Sequence, residues 1–162
     1  MNKENSAENM ALALGMATFQ AQGLEYALVS LQAATTLNKN IITRIKLQEL
    51  MDTRYKYTLG RLIKETINTL EIPEELQSKL EEALQKRNWV IHHFFREYGG
   101  TGFNPELQNK AANILNEIWP FFEQVSESVQ FLTLKRIQES GKTEEEISSG
   151  IERALREYND EL

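Results

Sequence analysis

Glu81-Glu82-Ala83-Leu84-Gln85-Lys86-Arg87-Asn88-Trp89-Val90-Ile91-His92-His93-Phe94-Phe95-Arg96-Glu97-Tyr98 reads as an α-helix at about 100° per residue. With the residues before it, Leu76, Leu80, Leu84, Ile91 and Phe94 form one apolar stripe, and Arg87 falls within that stripe. A guanidinium in a core seam is costly unless something pairs with it. Asn88 and His92 are four apart, which makes them neighbours on the flank of the same helix. The stretch holds both histidines of the chain, so a permanent cation, an amide and a titratable imidazole stand together where an apolar run would pack more simply.

The helix has clear ends. Glu71-Ile72-Pro73-Glu74-Glu75 is a start, with Pro73 suited to the first helical position and the acids favourable at the positive end of the dipole. Gly99-Gly100-Thr101-Gly102 stops it, which predicts a helix over residues 73 to 98. Those glycines are not a phosphate loop, because the GxxxxGK[ST] spacing is missing and no strand precedes them.

Upstream, Thr58 is a good N-cap for a helix running to about Leu70. From Lys39 to Lys64 the basic residues are Lys39, Arg44, Lys46, Arg54, Lys56, Arg61 and Lys64, opposed within that window only by Glu49 and Asp52. Tyr55 and Tyr57 lie inside this basic segment, where they could stack on unpaired bases, or the whole could be a solvated face with surface tyrosines. Ile41, Ile42, Ile45, Leu50 and Met51 suggest a further helix before it. Residues 6 to 36 contain no proline and read as one long helix with Leu12, Met16, Phe19, Leu24, Leu28 and Leu31 facing inward. Small residues scattered through it, among them Gly15, Ala17, Ala21 and Gly23, fit a central bundle helix or a dimer seam.

Downstream, Asn104-Pro105-Glu106 starts another helix, whose apolar period continues to about Glu139 with a bend expected at Pro120. Gly141 breaks the chain, Thr143 and Glu146 match a capping box, and Ile147, Ile151 and Leu155 give a short acidic last helix. That helix, residues 143 to 162, reads as an arm or as a cover for the basic segment. No stretch alternates as a strand does, and no repeat is visible. The expected fold class is therefore all-α, an up-and-down bundle of four to five helices plus a short C-terminal helix, in a single domain over residues 1–162.

Composition narrows the chemistry. The chain has 162 residues, enough to bury a sizeable core, and a formal net charge of −6, which argues against holding duplex nucleic acid by bulk charge. With no cysteine there is no disulfide, thiolate catalysis or Cys-ligated zinc, which fits a reducing, cytoplasmic setting. The polar start Met1-Asn2-Lys3-Glu4-Asn5 is neither a signal peptide nor a membrane span, so no membrane partner is expected. His93 and Glu97 could clasp a metal, but two ligands make a poor site, and the Glu-x-x-His pairs of di-iron bundles are absent. No metal or other cofactor is expected.

Arg87-Asn88-Trp89-Val90-Ile91-His92 fits an R-N-x-x-x-H pattern. It resembles the motif of the HEPN superfamily, small all-α domains marked by an arginine, a following polar residue and a histidine four to six positions on. Thr58-Leu59-Gly60-Arg61-Leu62-Ile63-Lys64 and Pro73-Glu74-Glu75-Leu76 look similar to one branch, so the resemblance covers residues 58 to 98. It implies a metal-independent endoribonuclease with a toxin or defence role. Arg87 would neutralise the scissile phosphate, Asn88 would orient the phosphate or the imidazole, and His92 would act as general acid or base. His93 is within the permitted spacing and is expected as a second-shell or surface residue. Arg54, Tyr55, Lys56, Tyr57 and Arg61 are the RNA-binding candidates. The resemblance also implies a homodimer whose two motif helices make one cleft, single-stranded RNA or a nucleotide as ligand, and an antitoxin, if any, on a separate polypeptide. The position where some members carry a modifiable tyrosine is Phe94 here. Two other readings stay open: Arg87 pairs with an acid from another helix, Glu25 being a candidate, or the bundle only binds a nucleotide, RNA or protein.

Overall fold

The computed structural model describes residues 3–39, 49, 52–54, 56–101, 104–139 and 141. The chain is all-α, with no strand among the described residues. Five helices follow in order: α1 (Lys3–Lys39), α2 (Leu59–Thr69), α3 (Glu74–Asn88), α4 (Phe94–Tyr98) and α5 (Pro105–Glu139). A π-helical turn, Trp89–His93, joins α3 to α4, and a 3₁₀ turn, Gly99–Thr101, follows α4. Among the described residues no helix is long and apolar enough to cross a membrane. The helix expected around Ile41, Ile42, Ile45, Leu50 and Met51 lies outside the described residues apart from its edges, and the one carrying Ile147, Ile151 and Leu155 lies wholly outside them.

Helices α1 and α5 run side by side in the same direction. The Ser6 hydroxyl donates to Gln108 Oε1 at 2.6 Å near the start of both, and Met16 shares a cleft with Trp119 further along. On α5 the buried positions Gln108, Ala111, Leu115, Ile118, Phe122, Val125 and Val129 alternate three and four apart, the seam of a coiled-coil-like pair. The facing seam of α1 is Ala13, Ala17, Ala21, Leu24, Leu28 and Leu31. Alanine on one side lets the two backbones approach closely, and dispersion between tightly packed atoms stabilises the contact. Leu24, Leu28 and Leu31 face inward as expected, but Leu12 and Phe19 do not: they stand 68% and 66% exposed. The N-terminal half of α1 is apolar on more than one face, and the small face is the buried one.

The shorter helices close the other side. Thr58 caps α2, its hydroxyl accepting from Arg61 N at 3.4 Å, and the buried Gln32 of α1 donates to Leu62 O (3.1 Å) and Thr66 Oγ1 (2.8 Å). A Cβ on Gly60 would stand 3.5 Å from Leu84, an ordinary contact that shows how near the start of α2 lies to α3. Helix α3 runs antiparallel to α5: Leu76 and Lys79 share a groove with Phe131, Leu132 and Lys135, whereas Lys86 Nζ lies 5.2 Å over the Phe121 ring. Asn104 caps α5 by accepting from Glu106 N (3.0 Å) and Leu107 N (3.3 Å), and α5 passes through Pro120 as one helix.

Candidate functional site

The chain is helical from Glu74 to Tyr98 but not uniformly α-helical. At the π turn the Phe94 N–H donates to Trp89 O, five residues back instead of four. Such turns occur mostly as single insertions into α-helices, often at functional sites. Aromatic packing accompanies this one: Trp89 meets Phe94 edge-on at 5.8 Å and Tyr98 at 6.3 Å, and Phe94 stacks with Tyr98 at 5.7 Å. The indole N–H donates to Glu97 Oε1 at 3.0 Å. Val90 and Phe94 reach the core, and Ile91, expected there, is outside with Phe95. The smaller Ala83 and Val90 occupy the inner positions against the bundle.

Arg87 and Asn88 end α3, just before this turn. Arg87 Nη1 donates to Asn88 Oδ1 at 3.4 Å, and Arg87 Nη2 stands 3.7 Å from Glu25 Oε1 of α1, beyond hydrogen-bond reach. The Arg87 side chain is 24% exposed, neither sealed in the core nor free of it. Its cation is held by loose contacts that an anion with better geometry would displace. Partial burial pushes the Glu25 carboxyl above its ordinary pKa, and the Arg87 charge works against that rise.

His92 and His93 are both exposed. A four-residue repeat would set His92 over Asn88, but in a π turn the residue one turn on is five away. His92 then follows Arg87 and His93 follows Asn88, so each histidine has one of the two polar residues behind it. Arg87, Asn88 and the two histidines thus lie on consecutive turns of one helical segment and offer a cation, an amide and two exposed imidazoles. That set can bind a phosphate oxygen and move a proton.

The second group of candidates has a different character. Arg54 Nη1 donates to Gln32 Oε1 and to Glu65 Oε2 (2.7 Å), and these bonds fasten its guanidinium into an internal network. Arg61 donates through Nε to Glu65 Oε1 at 3.0 Å and lies 3.4 Å over the Tyr57 ring, with more than half of its side chain exposed. Glu65 is consequently held below its ordinary pKa, first by the Arg61 hydrogen bond, although it also pairs with Arg54. Lys56 is exposed, and Tyr55 lies outside the described residues. Glu25 and Gln32 are a heptad apart on α1, about 10 Å along its axis, so Arg87 and Arg54 line the same edge of that helix. Glu65 was missed in the sequence because the basic window was closed at Lys64, yet its i, i+4 spacing from Arg61 signals the pair.

Glu97, the partner expected for a His93 clasp, accepts from Trp89 through Oε1. Among the described residues no three histidine, aspartate or glutamate side chains converge as a metal site. Comparison with known proteins finds no matching family model, no matching curated protein and no matching solved structure.

Proposed function

We propose that the protein is a metal-independent endoribonuclease of HEPN type that cleaves single-stranded RNA as a homodimer, in a toxin or defence role. The observation that supports this reading best is the half-open Arg87 guanidinium, held at 3.7 Å by Glu25 and at 3.4 Å by Asn88, beside an exposed imidazole at a π turn. Arg87 binds the scissile phosphate, Asn88 orients it, and His92 transfers the proton. The 2′-oxygen attacks phosphorus as one histidine takes its proton, and the 5′-oxygen leaves with a proton from the other. A single imidazole cannot stand at both ends of an in-line displacement, so the second comes from His92 of another copy. The stacked Arg61–Tyr57 pair offers a planar surface for a neighbouring base.

A second reading, a non-catalytic module that binds RNA, a nucleotide or a protein partner, is favoured by the internal pairing of Arg54 with Glu65 and the approach of Glu25 to Arg87. Both observations direct arginines toward carboxylates of the chain itself. The deciding experiment incubates the protein with labelled single-stranded RNA in EDTA, beside His92→Ala, His93→Ala and Arg87→Ala. Cleavage by the wild type that Arg87→Ala and His92→Ala both abolish supports the nuclease. Cleavage that neither affects removes this site, and RNA binding without cleavage supports the second reading.

A further inference from the structure

Helix α1 carries a second apolar seam, on the side away from α5. Leu12, Gly15, Phe19, Gly23 and Tyr26 follow one another three, four, four and three residues apart, which places them on one face of the helix. Leu12, Phe19 and Tyr26 each keep more than half of their surface exposed. Nothing in the fold calls for the two glycines. Among the described residues, a Cβ at Gly15 would meet no atom within 4 Å, and one at Gly23 only the flexible end of Gln20 at 3.8 Å. Glycine weakens a helix interior relative to alanine, so its use at these two places points to a surface that approaches closely from outside.

Charge says which surface that is. Residues 9 to 24 hold no charged side chain, in a chain that is 26% charged and carries a net −6. Two copies repel over much of their surface, and along this stretch they meet without opposing like charges. The order of the seam also reads the same in both directions from Phe19: a glycine four residues away, then a large side chain at seven. A two-fold contact needs a patch that complements itself, and this order does so about an axis at Phe19.

We infer that the seam binds a second copy of the chain, antiparallel and centred on Phe19. In that register Leu12 meets the partner's Tyr26, and Gly15 lies level with the partner's Gly23. Helix side chains lean toward the N-terminus of their own helix, so each Phe19 ring enters the gap left where Gly15 faces the partner's Gly23. The exposed Glu8 comes beside the partner's Ser30, whereas a parallel pair would oppose two Glu8 carboxylates. At about 200 Å² for a large side chain, the three bury about 750 Å² over two copies, and the flanking Met16 and Gln22 raise this to about 1,000 Å², the low end for a specific contact. The dimer is therefore reversible. Glu25, and Arg87 beside it, lies about 120° round α1 from Phe19, so the contact leaves the motif residues uncovered and does not rest on the nuclease reading.

Sedimentation velocity of the full chain over a series of concentrations tests the contact. The wild type should pass from monomer to dimer as concentration rises. Gly15→Leu and Gly23→Leu should each weaken association about tenfold or more. The same variants, when dilute, should melt at or above the wild-type temperature, because leucine favours the helix and meets no obstacle in the monomer. Arg87→Ala should leave association unchanged, which keeps this contact and the nuclease reading separately testable. The chain has no cysteine, so Glu8→Cys and Ser30→Cys proteins, mixed and mildly oxidised, should link to each other and neither to itself. The inference fails if the wild type stays monomeric at every concentration, or if both glycine variants associate as the wild type does. It also fails if either cysteine variant links to itself as readily as to the other, or if Arg87→Ala alone dissociates the dimer.

Discussion

Glu25→Gln separates the two readings of Arg87 most directly. The carboxylate and guanidinium stand 3.7 Å apart with both side chains partly exposed. Two unit charges at about 4 Å attract by roughly 1 kcal/mol in water and roughly 4 kcal/mol at an effective dielectric of about 20. Measured net values for open pairs stay at about 1 kcal/mol or less, so the substitution should alter stability little. A phosphate bound on the free side of the guanidinium stands about 7 Å from Glu25, where repulsion is roughly 0.6 kcal/mol in water and roughly 2.4 kcal/mol at a dielectric of about 20. After screening at physiological salt, that corresponds to about three- to tenfold tighter binding of RNA by Glu25→Gln. Fluorescence anisotropy with a short labelled single strand measures it, with Arg87→Ala as the weakened control. The pH dependence has a definite sign. Because burial raises the Glu25 pKa in the folded chain, its ionised form costs free energy above that pKa, and the cost vanishes below the unfolded value. The affinity advantage of the variant over the wild type, and any stability advantage, should therefore shrink as pH falls through the raised pKa. Equal affinity of the two at neutral pH, or binding by Arg87→Ala as tight as by the wild type, would refute the assignment of phosphate to Arg87.

The remaining expectations concern packing and assembly. Ala17→Leu, at a fully buried point on α1, should destabilise by about 1–3 kcal/mol and lower Tm by about 2–4 °C per kcal/mol, whereas Leu12→Ala on the same helix should stay within about 0.5 kcal/mol. Gln32→Leu removes the donor to Thr66 and Leu62 O and leaves Arg54 with Glu65 alone, so a loss of about 1–3 kcal/mol is expected in urea unfolding. Phe19→Gln on the exposed face of α1 should leave unfolding of the isolated chain nearly unchanged but weaken self-association in sedimentation velocity. An unchanged sedimentation profile would remove this face of α1 from the proposed homodimer.

Helix existence was legible wherever capping chemistry was explicit. Thr58, Pro73 and Asn104 each mark a helix start in the sequence, and each stands at one in the structure. Orientation was less legible. Along the first half of α1 large and small apolar residues occupy opposite faces, and choosing the larger set as the core reverses the answer for Leu12 and Phe19. Close approach of two long parallel helices depends on the small side chains Ala13, Ala17 and Ala21 along the α1 seam, and a hydrophobicity count does not register shape. The π turn was illegible for a similar reason: it inserts a residue into the hydrogen-bond ladder without any glycine or proline to mark it. Its aromatic surroundings, Trp89, Phe94 and Tyr98, became visible as a group only once the helix was folded. The Arg-Asn-His pattern itself was readable and Glu25 was a candidate partner for Arg87, but the 3.7 Å approach of the two depends on the α1 register.

That register also explains why Leu12, Phe19 and Tyr26 remain outside. They are spaced by heptads on one face of α1, opposite the alanine seam, so a rotation of the helix by about half a turn would bury them. The same rotation would carry Glu25 away from Arg87 and withdraw Gln32 from Leu62, Thr66 and Arg54. Leaving the buried Gln32 amide without its partners costs about 1–3 kcal/mol, comparable with what burying one large apolar side chain contributes. The larger side chains would also hold the α5 backbone further off, with loss of the close packing along the alanine seam. The Gln32 hydrogen bonds and the close alanine packing together therefore favour the observed rotation, and the exposed apolar heptad follows from it.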